Sequence, residues 1–168
     1  DWDDGDIWGD WDDYDDWESG SDPLIPSIQQ SSTLTSSQQA KLEEALQKLI
    51  REGCMQQALY DALVSNNVKL DFGMLPNAVN PATYNPYNKS IKFKENGSIT
   101  AENLKEELFH AWQDAYYPGG TAQYGKDTQG NKLPGLVNIE FEAKFYRDII
   151  EHPDGLCCNA FGENLPDN

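Results

Sequence analysis

The sequence has few basic residues, few cysteines and no long apolar run, and each scarcity excludes a class of protein. Only 12 of the 168 residues are Lys or Arg, against 29 that are Asp or Glu. The longest basic cluster is the alternating set Lys89, Lys92 and Lys94. A phosphate-binding surface needs more clustered positive charge than this. We therefore expect no nucleic-acid partner.

The chain has three cysteines, Cys54, Cys157 and Cys158. They are too few for a disulfide scaffold, and none forms the Cys-x-x-Cys pair that is typical of structural zinc sites. One bridge from Cys54 to either of the other two stays open at this stage, as do free thiols. The cysteines alone leave the redox compartment undecided.

Long apolar segments are also lacking. No apolar run approaches the roughly 20 residues that a membrane-spanning helix needs. The N-terminus lacks the charged and then apolar pattern of a secretion signal. The chain opens without Met and in low-complexity sequence, as a processed or excised fragment does. We expect a chain without a membrane span.

The acidity is concentrated in residues 1–22, which hold ten Asp, one Glu and no basic residue. Four of the five Trp also lie there. Dense like charge opposes collapse and favours a solvated spacer. Aromatic side chains are costly to leave in water, which instead favours docking to a protein partner with a basic groove, or a calcium-responsive strip. Both interpretations stay open for this acidic-aromatic tail.

Residues 23–35, rich in Ser, Gln and Pro, predict a linker, and residues 36–168 predict one domain. A capping box at Thr35–Gln38 begins a helix that ends near Gly53. The other expected elements are a helix at Met55–Ser65, half-buried strands at Val68–Phe72 and Ser90–Phe93, and helices at Thr100–Tyr117 and Leu136–Glu151. The lysines around the second strand favour an exposed edge. This order predicts an α+β fold.

Glu106, Glu107 and His110 form the constellation that carries chemistry. Glu106 and His110 are four residues apart and share one helix face, and Glu107 leans toward the same position. In a His-Glu-x-x-His helix the two outer residues bind zinc, and the Glu between them acts as general base. Glu106 replaces the first His here. A carboxylate binds zinc at about the same distance as an imidazole, so the site is retained.

The segment Glu-Leu-Phe-His-Ala-Trp-Gln resembles the Glu-Leu-x-His-Ala-x-Gln core of active-site helices in zincin-like metallopeptidases. A second segment, Ile139-Glu140-Phe141-Glu142-Ala143, is similar to the Glu-Phe-x-Ala-Asp segment of gluzincins, with Lys144 in place of the usual Asp. The resemblance covers roughly residues 84–152.

The resemblance implies a zincin-like fold, with a small antiparallel sheet, an active-site helix and a following ligand-bearing helix. It implies metal ligands Glu106, His110 and Glu140, with Glu107 as catalytic base. The strand Ser90–Phe93 would be the edge strand along which zincins lay an extended peptide. Zinc is the first expectation for the metal. Two carboxylate ligands also make manganese, iron or nickel candidates.

Two other interpretations remain open. Glu106 and Glu107 could belong to a solvated helix face near a helix N-terminus, where acidic residues are favoured. Glu140 and Glu142 would likewise be exposed if the core face of the last helix were formed by Phe141, Phe145, Ile149 and Ile150.

The predicted function is a metal-dependent, peptidase-like hydrolase that acts on a peptide or protein substrate. The alternative is a catalytically inactive zincin-like binding or effector module that docks a partner through the acidic-aromatic tail. A tail and linker ahead of a compact domain resemble the C-terminal end of a larger exported bacterial protein, such as a secreted toxin or a surface-displayed hydrolase. We therefore expect an exported or extracellular protein.

Overall fold

A computed structural model describes residues 22–151 except 126, 128 and 130, and the side chains of 148–151 are not described. The acidic-aromatic tail up to residue 21, His152, Cys157 and Cys158 lie outside the described residues. Cys54, at the start of a helix, is disulfide-bonded. Helices and a four-stranded sheet occur together in the described part, which confirms the predicted α+β class.

The helices are α1 (Ile25–Ile28), α2 (Ser36–Arg51), α3 (Cys54–Ser65), α4 (Ala101–Tyr116), α5 (Ala122–Gly125) and α6 (Leu136–Glu151). The strands are β1 (Gln29–Ser32), β2 (Leu70–Met74), β3 (Ala82–Asn85) and β4 (Ser90–Phe93). A single 3-10 turn at Asn96–Ser98 precedes α4.

The helix ends follow local sequence signals. Thr35 and Gln38 form the capping box of α2, and the Thr100 side chain accepts a hydrogen bond from the Asn103 N–H at the start of α4. Central in the fold, α4 contacts α2, α3, α6 and β3. No helix in the described ranges combines the length and apolar character that crossing a membrane requires.

The sheet is mixed, with strand order β1-β2-β4-β3. Strand β2 pairs in parallel with β1 and β4, and only β3 and β4 are antiparallel. The predicted small antiparallel sheet is therefore wrong. The hairpin of β3 and β4 pairs with β2 through β4, its second strand, and β4 runs parallel to β2. The alternation of apolar and polar residues predicts a strand, but it does not show whether the strand pairs in parallel or antiparallel.

The expected edge strand Ser90–Phe93 is an inner strand, with β2 on one side and β3 on the other. Ile91 and Phe93 are fully buried. The edge on this side of the sheet is β3. The prediction of an exposed edge strand is therefore wrong. Lysines beside buried residues show which side chains face outward, but they do not distinguish an edge strand from an inner one.

The segment predicted to be a linker belongs to the core. Ile25 and Ile28 of α1 are buried in the main hydrophobic cluster. The Glu43 carboxylate of α2 accepts hydrogen bonds from the backbone N–H groups of Leu24 and Ile25, at 2.7 and 2.9 Å. Strand β1 then extends the sheet beside β2. Two isoleucines in a Ser- and Gln-rich segment suffice to anchor it, although its average composition resembles a linker.

Candidate metal centre

Helix α4 presents its functional side chains from a well-anchored position. Leu104, Leu108 and Ala111 are almost completely buried, and their spacing of four and three residues defines the core face of the helix. Glu106 and His110 lie on an adjoining face that borders a cleft. The packing of the apolar face therefore fixes the direction in which these two side chains point.

The structure brings together the three residues that the sequence predicts to be metal ligands. One carboxylate oxygen of Glu106, one of Glu140 and one ring nitrogen of His110 all lie within 4.8 Å of one another. All three residues are partly buried. Glu140 comes from α6 and lies 30 residues after His110 in the sequence, so the cluster joins α4 to α6.

A cleft of about 350 Å³ opens on the His110 side of this cluster. Its walls come from β3, α4, α5 and α6, and the residues between β3 and β4 contribute Pro86 and Tyr87. A more polar cleft of about 570 Å³ adjoins the cluster on the other side and is lined by Lys105, Lys144 and Arg147 among others. Glu106, Glu107 and Glu140 line both clefts, so the acidic cluster stands between them.

Glu107 lies in the same clefts and is held by the edge strand. Its Oε2 accepts a hydrogen bond from the backbone N–H of Tyr84 in β3. Burial raises the pKa of Glu107 to about 7; the Tyr84 N–H opposes this shift, and the nearby charges of Glu106 and Glu140 add to it. A carboxyl group with such a pKa exchanges protons near neutral pH.

Arg147 provides positive charge beside the cluster. Its guanidinium nitrogen lies 3.3 Å from Oε2 of Glu106, and both side chains are partly exposed. An ion pair at this position offsets part of the repulsion among the three carboxylates. The sequence offers no local sign of this pair, because the two residues are 41 positions apart.

Beyond His110 lies a chain of hydrogen bonds. The ring Nδ1 of His110 is 2.9 Å from Oε1 of Gln113, one turn further along α4. The Gln113 amide nitrogen donates to the Ile139 carbonyl oxygen at 3.1 Å and to Oε2 of Glu142 at 2.8 Å. The Tyr117 hydroxyl donates to the same carboxylate. Gln113 is fully buried.

Asp114 on α4 is hydrogen-bonded to two residues of the cleft wall, Tyr84 and Thr121. It accepts hydrogen bonds from the Tyr84 hydroxyl, the Lys89 ammonium and the Thr121 backbone N–H. Burial opposes ionisation of this carboxyl, but the hydrogen bonds from Lys89, Tyr84 and Thr121 outweigh it and hold the pKa of Asp114 below its ordinary value. The buried Asp114 carboxylate therefore holds Tyr84 and Thr121 in place in the cleft wall.

The surroundings of the cluster were less predictable from the sequence than the grouping of its three residues. Phe141 and Phe145 are 66% and 56% exposed, so they do not form the core face of α6. Among the side chains that the structure describes on α6, that face consists of Ile139, Ala143 and Tyr146. Their spacing of four and three residues was a signal that could have identified them. With this rotation of the helix, Glu140 and Glu142 point toward α4.

The chain was compared with protein-family models, curated proteins and solved structures, and none of the three comparisons found a match.

Proposed function

We propose that this domain is a metal-dependent hydrolase that cleaves peptide bonds, with Glu106, His110 and Glu140 as metal ligands. The observation that carries the proposal is the convergence of these three side chains from α4 and α6, within 4.8 Å of one another. Glu107, a fourth ionisable group, borders the same clefts. The likeness of the α4 and α6 segments to zincin-like metallopeptidases supports the same conclusion.

The donor set suits a divalent cation. Protein ligands lie at about 2.0–2.2 Å from zinc, so donor atoms as close as these need only small side-chain rotations to share one ion. Three protein ligands leave a position for water or substrate, as in catalytic zinc sites. Zinc is our first candidate, and two carboxylates with one imidazole also suit manganese, iron or nickel.

A bound divalent cation would polarise the scissile carbonyl group and make water a stronger nucleophile. The Glu107 carboxylate would take a proton from the attacking water as its oxygen bonds to the carbonyl carbon. The same proton then passes to the amide nitrogen as the carbon–nitrogen bond breaks, which releases an amine and a carboxylic acid. The Tyr84 N–H orients Glu107 for this transfer.

Strand β3 is the candidate binding edge for the substrate. It runs along both clefts, since Ala82 borders the polar cleft and Tyr84 the other. An extended peptide can add to an exposed strand edge through main-chain hydrogen bonds. We propose this role for β3, in place of the strand Ser90–Phe93 that the sequence had suggested.

We propose an exported or extracellular setting for the domain. The disulfide at Cys54 supports it, because disulfides persist mainly in oxidising compartments.

Incubation of the zinc-loaded protein with a mixture of unstructured peptides, followed by mass spectrometry of the products, tests the proposal. The wild type should cleave peptides, whereas Glu107→Gln should bind zinc but lose cleavage by about 100-fold or more, the usual contribution of a general base. The matched control is Glu95→Gln, an exposed acid ahead of α4 that lines neither cleft. Zinc binding without cleavage of any peptide would favour the inactive binding module, and absence of zinc binding would contradict both the metal and the activity.

A further inference from the structure

Gln113 has only one orientation that satisfies its surroundings. Its side-chain NH2 group faces two oxygens, the Ile139 carbonyl and the Glu142 carboxylate. Glu142 also accepts the Tyr117 hydroxyl hydrogen at both of its oxygens, which leaves it in the role of acceptor. Rotation of the amide by 180° would place Oε1 against both acceptors. In a fully buried side chain such a contact is strongly unfavourable.

This orientation determines the protonation of His110. Oε1 of Gln113 faces the ring Nδ1 at 2.9 Å, and an amide oxygen can only accept a hydrogen bond. Nδ1 must therefore carry the hydrogen. The lone pair of a neutral imidazole is then on Nε2. Metal-binding histidines generally have their second nitrogen fixed in this manner by an outer partner.

We propose that Gln113 and Glu142 are positioning residues that hold His110 in its Nδ1-protonated form, so that Nε2 is the donor to the metal. The proposal rests on the proposed function for the identity of the ligand. The tautomer itself is a property of the metal-free chain. Glu142 acts on His110 indirectly, because it keeps Gln113 in the orientation that His110 requires.

Nitrogen NMR of the metal-free, ¹⁵N-labelled protein measures the tautomer directly. His152→Gln in every variant leaves His110 as the single imidazole. The neutral form of His110 should show a protonated Nδ1 and an unprotonated Nε2. Gln113→Leu should populate both tautomers. A wild-type His110 with Nε2 protonated would overturn the proposal.

Zinc affinity is the second readout. Gln113→Leu should weaken zinc binding by about 10–100-fold, as losses of outer partners typically do. Glu142→Leu should also weaken it, whereas Glu142→Gln should restore most of it, because an amide oxygen can still accept the Gln113 hydrogen. Equal affinities for the two Glu142 variants would contradict a positioning role for that residue.

A purely structural role predicts a different pattern. In that case Gln113→Leu would lower the unfolding midpoint without changing the tautomer or the zinc affinity, and the proposal would be wrong. If Gln113→Leu does not fold, the wild-type tautomer and the Glu142 pair still decide the question. A wild type with the expected tautomer but no zinc binding would support the positioning proposal and contradict the proposed function.

Discussion

At the residue scale, the contribution of a buried hydroxyl group to folding stability depends on whether it has a hydrogen-bond acceptor. The Tyr146 side chain on α6 is 7% exposed and stacks on the Phe109 ring at 4.4 Å between centroids. Its hydroxyl has no hydrogen-bond partner among the described residues. Burial also raises the pKa of this phenol. A buried hydroxyl without a partner lowers the stability of a folded chain.

Tyr146→Phe should stabilise the domain, by about 1–3 kcal/mol, because it removes a buried polar group for which the described residues offer no partner. Urea denaturation followed by circular dichroism measures the change. The matched control is Tyr60→Phe, whose equally buried hydroxyl donates to the Leu24 carbonyl at 2.9 Å. This control should instead destabilise the domain by about 0.5–1.5 kcal/mol. Destabilisation by both substitutions would show that Tyr146 has a partner.

Asp114 should give the domain an acid-sensitive contribution to stability. Its pKa in the folded chain is below the ordinary value of 3.8. The contribution is therefore complete above about pH 4 and is lost as pH falls through the folded-state pKa. Asp114→Asn should lower the free energy of unfolding at pH 7 by about 1–3 kcal/mol. Denaturant titrations from pH 7 to pH 2 should show this difference shrinking at low pH, and a difference that stays constant would contradict the account.

The grouping of Glu106 with His110 was predictable from the sequence, whereas the residues that contact them from α6 were not. Glu106 and His110 could be paired because helical spacing alone places them on one face. Arg147 and Glu142 reach α4 across the contact between two helices. Their contacts depend on the rotation of α6, which is set by tertiary packing that no local pattern records.

At the element scale, the N-terminal pair of α1 and β1 is a structural part of the domain. Ile28 is fully buried, and β1 adds a parallel strand to the sheet. Ile28→Ala should therefore destabilise the domain by about 2–5 kcal/mol, as other truncations of buried isoleucine do. Thermal unfolding measures this loss. Val79→Ala, at a 92% exposed site, is the control and should change stability by less than about 0.5 kcal/mol. Equal effects would mean that α1 does not pack in the core.

Helices were easier to predict than the sheet. The start of α2 depends on a capping box and the start of α4 on one N-cap threonine, both of which are local signals. The pairing of β2 with β4 joins segments separated by β3, so it depends on how the hairpin docks. Strand direction and order are therefore properties of the whole fold.

At the scale of the whole molecule, the net charge of −17 has two unlike parts. Residues 1–22 contribute 11 of the acids, and the described domain places Glu106, Glu107 and Glu140 together around two clefts. Carboxylates held this close repel one another, so a bound cation should stabilise the folded chain. At a zinc concentration 100-fold above the dissociation constant, the expected gain is about 2.7 kcal/mol. Thermal unfolding with and without zinc measures it, and His110→Gln should reduce the gain.

The most direct test of the metal centre is the zinc content of the protein after equilibrium dialysis. The account predicts about one zinc ion per wild-type chain, with marked loss in Glu106→Gln, His110→Gln and Glu140→Gln, and no loss in Glu95→Gln, an exposed control outside both clefts. A wild type that binds no zinc, manganese, iron or nickel, or one whose binding is unchanged by all three ligand substitutions, would contradict it.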